Sequence, residues 1–121
     1  MKNVLNWFEI PVLELDRATK FYETILATKL KRECFGGQDL AIFGSSAEGA
    51  GGALALDSKR QPNSNGTIVY LNASGKLDGV VERVEAAGGR VLLPKTDIGQ
   101  PGFIAVICDT EGNHVGLHSE R

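Results

Sequence analysis

The chain has 121 residues and a mass of 12.9 kDa, a size that fits one compact domain and leaves no room for a second. Thirteen Lys and Arg residues against fifteen Asp and Glu give a formal net charge of −2. This balance argues against nucleic acid as the main partner, because phosphate binding needs clustered positive charge. With 42% hydrophobic and 23% charged residues, the composition excludes a disordered chain and predicts a small soluble globular domain.

The sequence has no segment that predicts export or membrane insertion. Glu9 and Pro11 interrupt the first apolar residues before a run of signal-peptide length can form, and no stretch approaches the ~20 apolar residues of a membrane span. The two cysteines, Cys34 and Cys108, lie far apart in apolar segments, so we expect buried free thiols rather than a disulfide. The expected location is the cytoplasm, without a membrane partner.

The first half of the chain predicts four strands and one helix. Residues 7–12 alternate between apolar side chains on opposite faces, which is typical of a half-buried strand. Residues 15–26 carry an apolar stripe at helical spacing, formed by Ala18, Phe21, Tyr22, Ile25 and Leu26. Short strands are predicted at 29–35, 40–43 and 51–56, so the order of elements is βαβββ.

The second half repeats this order. Residues 67–72 predict a strand and residues 77–87 a helix, which Gly88 and Gly89 end. Strands are predicted at 90–93, 102–108 and 113–118. Between the halves lies a polar, turn-rich segment. We therefore predict one domain over residues 1–121, made of a first module at about 4–56, a linker at about 57–65 and a second module at about 66–118.

Segments near both ends of the chain resemble one known family. The opening residues 7–12, followed by Asp16-Arg17-Ala18 and Phe21-Tyr22, resemble the start of vicinal oxygen chelate proteins, the glyoxalase, bleomycin-resistance and extradiol-dioxygenase superfamily. Residues 109–113, Asp-Thr-Glu-Gly-Asn, are similar to that superfamily's final hairpin. The resemblance implies an α+β fold in which two βαβββ modules form a half-open barrel of curled sheets around a cavity, with helices outside. It also implies a homodimer whose cavity is often bounded by both chains.

The superfamily is named for a divalent metal that is held at four ligand positions. In this chain, none of the four positions carries a metal-binding side chain. By resemblance these positions fall on Trp7, at or next to Gly52 or Ala53, on Ile68 and on Gly116. None of these side chains offers a His nitrogen, a carboxylate or a thiolate. The resemblance therefore implies the fold without the usual metal ligands, and no cofactor is predicted; a divalent metal held in another way is the alternative.

Strand alternation predicts which side chains share the cavity wall with those positions. If Trp7 faces the cavity, so does Glu9; by the same parity Ile68 brings Tyr70 and Asn72, and Gly116 brings His114 and His118. Aromatic faces with a few polar groups are what small-molecule pockets usually offer. The predicted ligand-binding set is Trp7, Glu9, Tyr70, Asn72, Gly116 and His118.

Four of these candidates also have a structural interpretation. Glu9 is the candidate catalytic base, or half of an unconventional metal pair with His118, but an ion pair with Arg32 explains a carboxylate there equally well. His118 is as compatible with solvent exposure as with function, and Trp7 and Tyr70 are compatible with simple packing.

Three further polar residues are predicted to have no functional role. His114 follows the turn of the last hairpin and is expected at the surface. Lys59 and Arg60 belong to the linker and are expected to be solvated charges.

Three functions remain open at this point. The first is binding of a small organic molecule without a metal, in the manner of bleomycin-resistance proteins. The second is a lyase, isomerase or dioxygenase of the glyoxalase superfamily, which would use either a metal or Glu9 as a base. The third is a dimeric sensor or partner module without chemistry. We favour the first, and whether the chain is an enzyme stays undecided.

Overall fold

The computed structural model describes residues 4–44 and 51–121, which form two helices and two four-stranded sheets. The first module contains β1 (Trp7–Val12), α1 (Leu15–Leu26), β2 (Lys31–Phe35), β3 (Gln38–Phe43) and β4 (Gly51–Leu56). Its sheet has the strand order β1-β4-β3-β2, in which β1 and β4 are parallel and the other neighbours are antiparallel.

The second module contains β5 (Tyr70–Asn72), α2 (Leu77–Arg83), β6 (Arg90–Asp97), β7 (Phe103–Cys108) and β8 (His114–Ser119). Its sheet has the equivalent order β5-β8-β7-β6, again with one parallel pair, β5 and β8. The α+β class and the repeated βαβββ order are therefore as predicted, and both sheets are curled without closing into a barrel.

Element bounds differ most from prediction in β5, in α2 and in β6, which runs to Asp97 instead of ending at residue 93. The strand predicted at 67–72 is limited to Tyr70–Asn72, although Val69 still accepts a hydrogen bond from Gly116 N at 2.8 Å. The helix predicted to residue 87 ends at Arg83, because Val84 N and Gly88 N donate to carbonyls three residues earlier and Ala87 N is shared between Arg83 O and Val84 O. Such bonds tighten the last turn and close the helix.

One hydrophobic core joins both modules. Helix α1 buries the predicted stripe completely, with Tyr22, Phe21 and Ile25 among the most buried side chains of the protein. The same cluster contains Val80 and Val84 of the second helical segment together with residues from both sheets. Each sheet therefore has one face covered by helix, and the modules share this core. A smaller cluster of Leu40, Ala53 and Ala55 is buried on the other face of the first sheet.

The opposite face of each sheet, which we call its open face, follows from strand alternation and pairing. In β1, Ile10 belongs to the shared core, so Trp7 and Glu9 lie on the open face of the first sheet. In β5 and β8, Leu71 and Leu117 belong to that core. The open face of the second sheet therefore carries Tyr70, Asn72, Gly116 and His118.

The last hairpin ties the two modules together through Asp109. Its carboxylate is buried and accepts a hydrogen bond from the Tyr22 hydroxyl of α1 at 2.7 Å. Backbone N–H groups of Glu111 and Asn113 donate to its other oxygen at 2.8 and 2.9 Å. Burial, with the Asp109 charge beside it, raises the pKa of Tyr22 well above 10, so its hydroxyl keeps the proton it donates.

Glu111 makes the second tie, at the N-terminus of α1. Its buried carboxylate accepts hydrogen bonds from the backbone N–H groups of Leu13 and Glu14 at 2.8 and 2.9 Å and from Arg17 Nε at 2.7 Å. A carboxylate from 94 or more positions away in sequence thus satisfies donors at a helix start that has no side-chain cap of its own.

The cysteines are free but are not both buried, which corrects the expectation for Cys34. It lies on β2, the edge strand of the first sheet, where both Cys34 and its neighbour Phe35 are exposed. Cys108 is half-buried on β7. No helix within residues 4–44 and 51–121 is long and apolar enough to cross a membrane.

Candidate functional site

Trp7 and Glu9 form a pair on the open face of the first sheet. The indole Nε1 of Trp7 donates to Glu9 Oε2 at 3.2 Å, while 43% of Trp7 remains exposed. The ion pair of Glu9 with Arg32 that the sequence allowed does not form, because Arg32 instead pairs with Asp16 of α1 at 2.9 Å. Trp7 therefore holds the Glu9 carboxylate beside an accessible aromatic surface.

Tyr70 and Gly116 form the corresponding pair on the second sheet. They are register partners of the parallel β5–β8 pair, and the Tyr70 ring covers the position where a side chain of residue 116 would be. Glycine permits this close approach because it has no Cβ. The ring is 44% exposed, so the second sheet also presents an accessible aromatic surface.

Asn72 and His118 are register partners one step further along, and both already have partners. Asn72 Oδ1 accepts from Ser74 N at 2.9 Å, which leaves its NH2 group for other contacts. His118 Nε2 lies 2.7 Å from the carbonyl oxygen of Pro101. Because a carbonyl only accepts, this ring nitrogen carries a proton and the other is the one able to face a ligand.

The predicted set is therefore present as two groups, one on each sheet. Trp7 contacts Glu9, and Tyr70 contacts Gly116 beside the Asn72–His118 pair. Within residues 4–44 and 51–121, no hydrogen bond or ion pair joins one group to the other.

The strand register shows that Ala53, and not Gly52, is the position equivalent to Gly116. Gly52 pairs with Phe8 and lies under its ring on the helix-covered face. Ala53 pairs with Glu9 on the open face, as Gly116 pairs with Tyr70. The open-face residue at this site is thus an alanine, whose side chain has no lone pair for a metal.

The side chains at the family's four metal positions do not fit a divalent cation. They belong to Trp7, Ala53, Ile68 and Gly116, which together provide no oxygen, thiolate or imidazole donor. In the part of the chain that the structure describes, no three His, Cys, Asp or Glu side chains are grouped so that they could hold a metal ion.

A cavity of about 500 Å³, which we call the seam cavity, lies where β1 meets the linker and the start of β8. Its lining includes Phe8, Glu9, Arg60, Val69 and His114. The sequence predicted His114 at the surface, but it is half-buried here, because the linker docks against the hairpin. Arg60 is exposed as predicted but borders this cavity. Neither residue had a local sequence signal, since their proximity depends on how the linker folds back.

Comparison with known proteins identifies the family. The family model described as Glyoxalase/Bleomycin resistance protein/Dioxygenase superfamily matches residues 4–117. Two curated relatives, both named putative glyoxylase CFP32, from Mycobacterium bovis and Mycobacterium tuberculosis, are 30% identical over 121 residues. These matches cover 93% of this chain and 44% of each relative, so the chain spans less than half the length of these proteins.

Solved structures share the fold. A glyoxalase/bleomycin resistance protein from Albidiferax ferrireducens has a TM-score of 0.77 at 16% identity, covering 98% of this chain and 100% of that chain. A glyoxalase-related enzyme from Fulvimarina pelagi has a TM-score of 0.71 at 14% identity, with coverage of 99% and 89%. Identities this low show the fold alone. With the family match across nearly the whole chain, the protein belongs to the Glyoxalase/Bleomycin resistance protein/Dioxygenase superfamily.

Proposed function

We propose that this protein binds a small organic molecule with a flat aromatic or conjugated part on its open sheet faces, without the family's divalent metal. The observation that carries the proposal is the pair of half-exposed aromatic rings, Trp7 on one open face and Tyr70 on the other. Exposed aromatic rings of this size offer large apolar contact area at little cost in conformational entropy.

Polar groups beside the rings supply direction. Glu9 is held by Trp7 and provides a carboxylate acceptor, while the NH2 group of Asn72 provides a donor on the other sheet. Gly116 contributes by having no side chain, since the Tyr70 ring occupies the space that a side chain there would fill. Such a combination of apolar surface and few oriented polar groups is typical of small-molecule sites.

Two chains would complete this site. The aromatic groups of one chain lie on separate sheets and do not contact each other. In a dimer, the Trp7 face of one chain would lie opposite the Tyr70 face of the other. We therefore propose a homodimer whose cavity is lined by both chains. The proposed location is the cytoplasm. Sedimentation equilibrium of the purified chain should give twice the mass of 12.9 kDa.

The test is a ligand screen followed by two single substitutions. Thermal-shift screening against metabolites, thiol adducts and antibiotics should yield a stabilising ligand. Trp7→Ala and Tyr70→Ala should each weaken its binding roughly tenfold or more, which is about 1.4 kcal/mol. The matched control is Phe35→Ala, because Phe35 is also an exposed aromatic residue of the first sheet but lies on its far edge strand. Unchanged affinity in both test variants would disprove the proposed site.

Glu9 supports a second candidate function, a reaction in which this carboxylate acts as a general base. Its Oε1 has no hydrogen-bond partner within residues 4–44 and 51–121, so it is able to accept a proton from a bound molecule. Once a ligand is known, Glu9→Gln should abolish any turnover even at saturating ligand, because the amide keeps an acceptor oxygen but cannot take up a proton. Turnover that persists in Glu9→Gln would exclude this role.

A further inference from the structure

The seam cavity has walls that are already fixed. Three hydrogen bonds hold Asn63 of the linker: Asn63 N donates to Asn113 Oδ1 at 3.2 Å, His114 N donates to Asn63 O at 3.3 Å, and Gly66 N donates to Asn63 Oδ1 at 2.8 Å. On the opposite side, Asn113 Nδ2 donates to Pro11 O of β1 at 2.8 Å. The hairpin therefore bridges β1 and the linker, and a ligand would enter a preformed space.

The size and lining of this cavity suit a small organic molecule. Its volume of about 500 Å³ falls within the roughly 300–1,000 Å³ of ligand pockets. Phe8, Ile10, Val69 and Val115 supply an apolar part of the wall. A molecule bound there would therefore need an apolar body.

Two opposite charges border the same cavity. Arg60 and Glu9 both contribute to its lining, yet neither makes an ion pair with the other or with any charged group in the described parts of the chain. A single anion at Arg60 would share the cavity with the Glu9 carboxylate, and a single cation at Glu9 would share it with the guanidinium. A ligand that carries both charges avoids either repulsion.

We infer that the seam cavity binds a small zwitterion with an apolar side chain, the chemical class of a free hydrophobic amino acid. Arg60 takes the carboxylate with its forked N–H donors, and Glu9 accepts from the ammonium group. The apolar side chain lies against Phe8 and Val69. This site lies next to the aromatic site proposed above, and Glu9 is the one residue that the two sites have in common.

Three probes with the same phenyl-ethyl body test this inference: L-phenylalanine, 3-phenylpropionate and 2-phenylethylamine. In isothermal titration calorimetry at pH 7, L-phenylalanine should bind at least tenfold more tightly than either singly charged probe. Equal affinity of all three, or no saturable binding of L-phenylalanine up to 10 mM, roughly the limit of a weak site, would overturn the inference.

Variants then locate the bound probe. Arg60→Ala should reduce L-phenylalanine affinity to that of 2-phenylethylamine, and Glu9→Gln should reduce it to that of 3-phenylpropionate. Lys59→Ala is the matched control, since Lys59 neighbours Arg60 but does not line the cavity. This variant should bind L-phenylalanine as tightly as the wild type does. Loss of binding in Tyr70→Ala with retention in Arg60→Ala would place the probe on the open face and refute the seam site. Because Arg60 and Glu9 are both exposed, these variants should fold normally, which their unfolding temperatures will show.

Discussion

The ring of Tyr70 covers Gly116, its pairing partner on the neighbouring strand, and Phe8 covers Gly52 in the same way in the first module. The two pairs differ in the face of the sheet that they occupy. Tyr70 lies on the open face, whereas Phe8 packs on the helix-covered face against Phe43, with ring centroids 5.7 Å apart. The two pairs are therefore not equivalent positions of the repeat, since Ala53 and Glu9 correspond to Gly116 and Tyr70; a ring over a glycine provides accessible surface in one module and packing in the other.

Alanine substitution at the two glycines should separate these uses. In Gly116→Ala the new Cβ would overlap the Tyr70 ring as far in as Cγ, so the half-exposed ring must rotate about χ1 towards solvent, and the free energy of unfolding should fall by about 1 kcal/mol. In Gly52→Ala the Phe8 ring is confined by the core, and overpacking of this kind costs roughly 1–3 kcal/mol. Urea unfolding of both variants measures the difference. A larger loss in Gly116→Ala than in Gly52→Ala would contradict the assignment of the faces.

Tyr22→Phe should destabilise the protein by about 1.5–3 kcal/mol, because it removes a buried hydrogen bond to the carboxylate of Asp109. The matched control is Tyr70→Phe, which removes the hydroxyl of a half-exposed tyrosine and should leave the free energy of unfolding within about 0.5 kcal/mol of the wild type. Similar losses in the two variants would show that the Tyr22–Asp109 bond does not hold the modules together.

Stability at acidic pH should depend on Glu111. Burial alone would raise the pKa of this carboxyl, but hydrogen bonds from Arg17 and from the backbone N–H groups of Glu14 and Leu13 outweigh it and lower the pKa from 4.5 to about 2. Because the folded-state pKa is below the unfolded one, the stabilisation is complete above pH 4.5 and is lost as the pH falls towards 2. The difference corresponds to a contribution on the order of 3 kcal/mol.

Urea unfolding of Glu111→Gln between pH 2 and pH 7 tests this dependence. The wild type should lose stability as the pH falls from 4.5 to about 2, and most of this decrease should be absent in the variant. Glu14→Gln is the control, since Glu14 also pairs with Arg17, at 2.9 Å, but is exposed, and exposed pairs contribute about 0–1 kcal/mol. A wild-type pH profile in Glu111→Gln would refute the role of Glu111.

Thr19→Val should leave the protein equally stable or up to about 1 kcal/mol more stable. The Thr19 hydroxyl is buried in α1 and has no hydrogen-bond partner among the residues that the structure describes, and an unpaired buried polar atom is destabilising. Thr24→Val is the comparison on the same helix, because Thr24 Oγ1 donates to Lys20 O at 2.8 Å. A loss greater than about 1 kcal/mol in Thr19→Val would mean that its hydroxyl has a partner.

The sequence predicted those features that depend on local periodicity. Strand alternation in β1 and the apolar stripe of α1 are determined by neighbouring residues, so their bounds at Trp7–Val12 and Leu15–Leu26 agree with the structure. The family resemblance then supplied the order in which the elements pack. The end of α2 was less predictable, because residues 84–87 have helical composition but adopt a tighter turn before Gly88.

The long-range polar contacts could not be predicted in this way. Glu111 was identified only as part of a hairpin motif, and nothing near it in sequence shows that it would accept hydrogen bonds from Leu13 and Glu14. The seam cavity depends in the same manner on how Asn63 fixes the linker against the hairpin. Residues joined across about 50 or more positions in this way are known only once the fold is known.

The emission of Trp7, the single tryptophan of the chain, gives the most direct test of metal-independent binding at the aromatic site. The protein is titrated with the ligand from the screen, once in EDTA and once with added Zn²⁺, Ni²⁺ or Mn²⁺. The ligand should change Trp7 emission with the same dissociation constant in every condition. Binding that requires a metal, accompanied by one tightly held cation per chain, would contradict metal-independent binding.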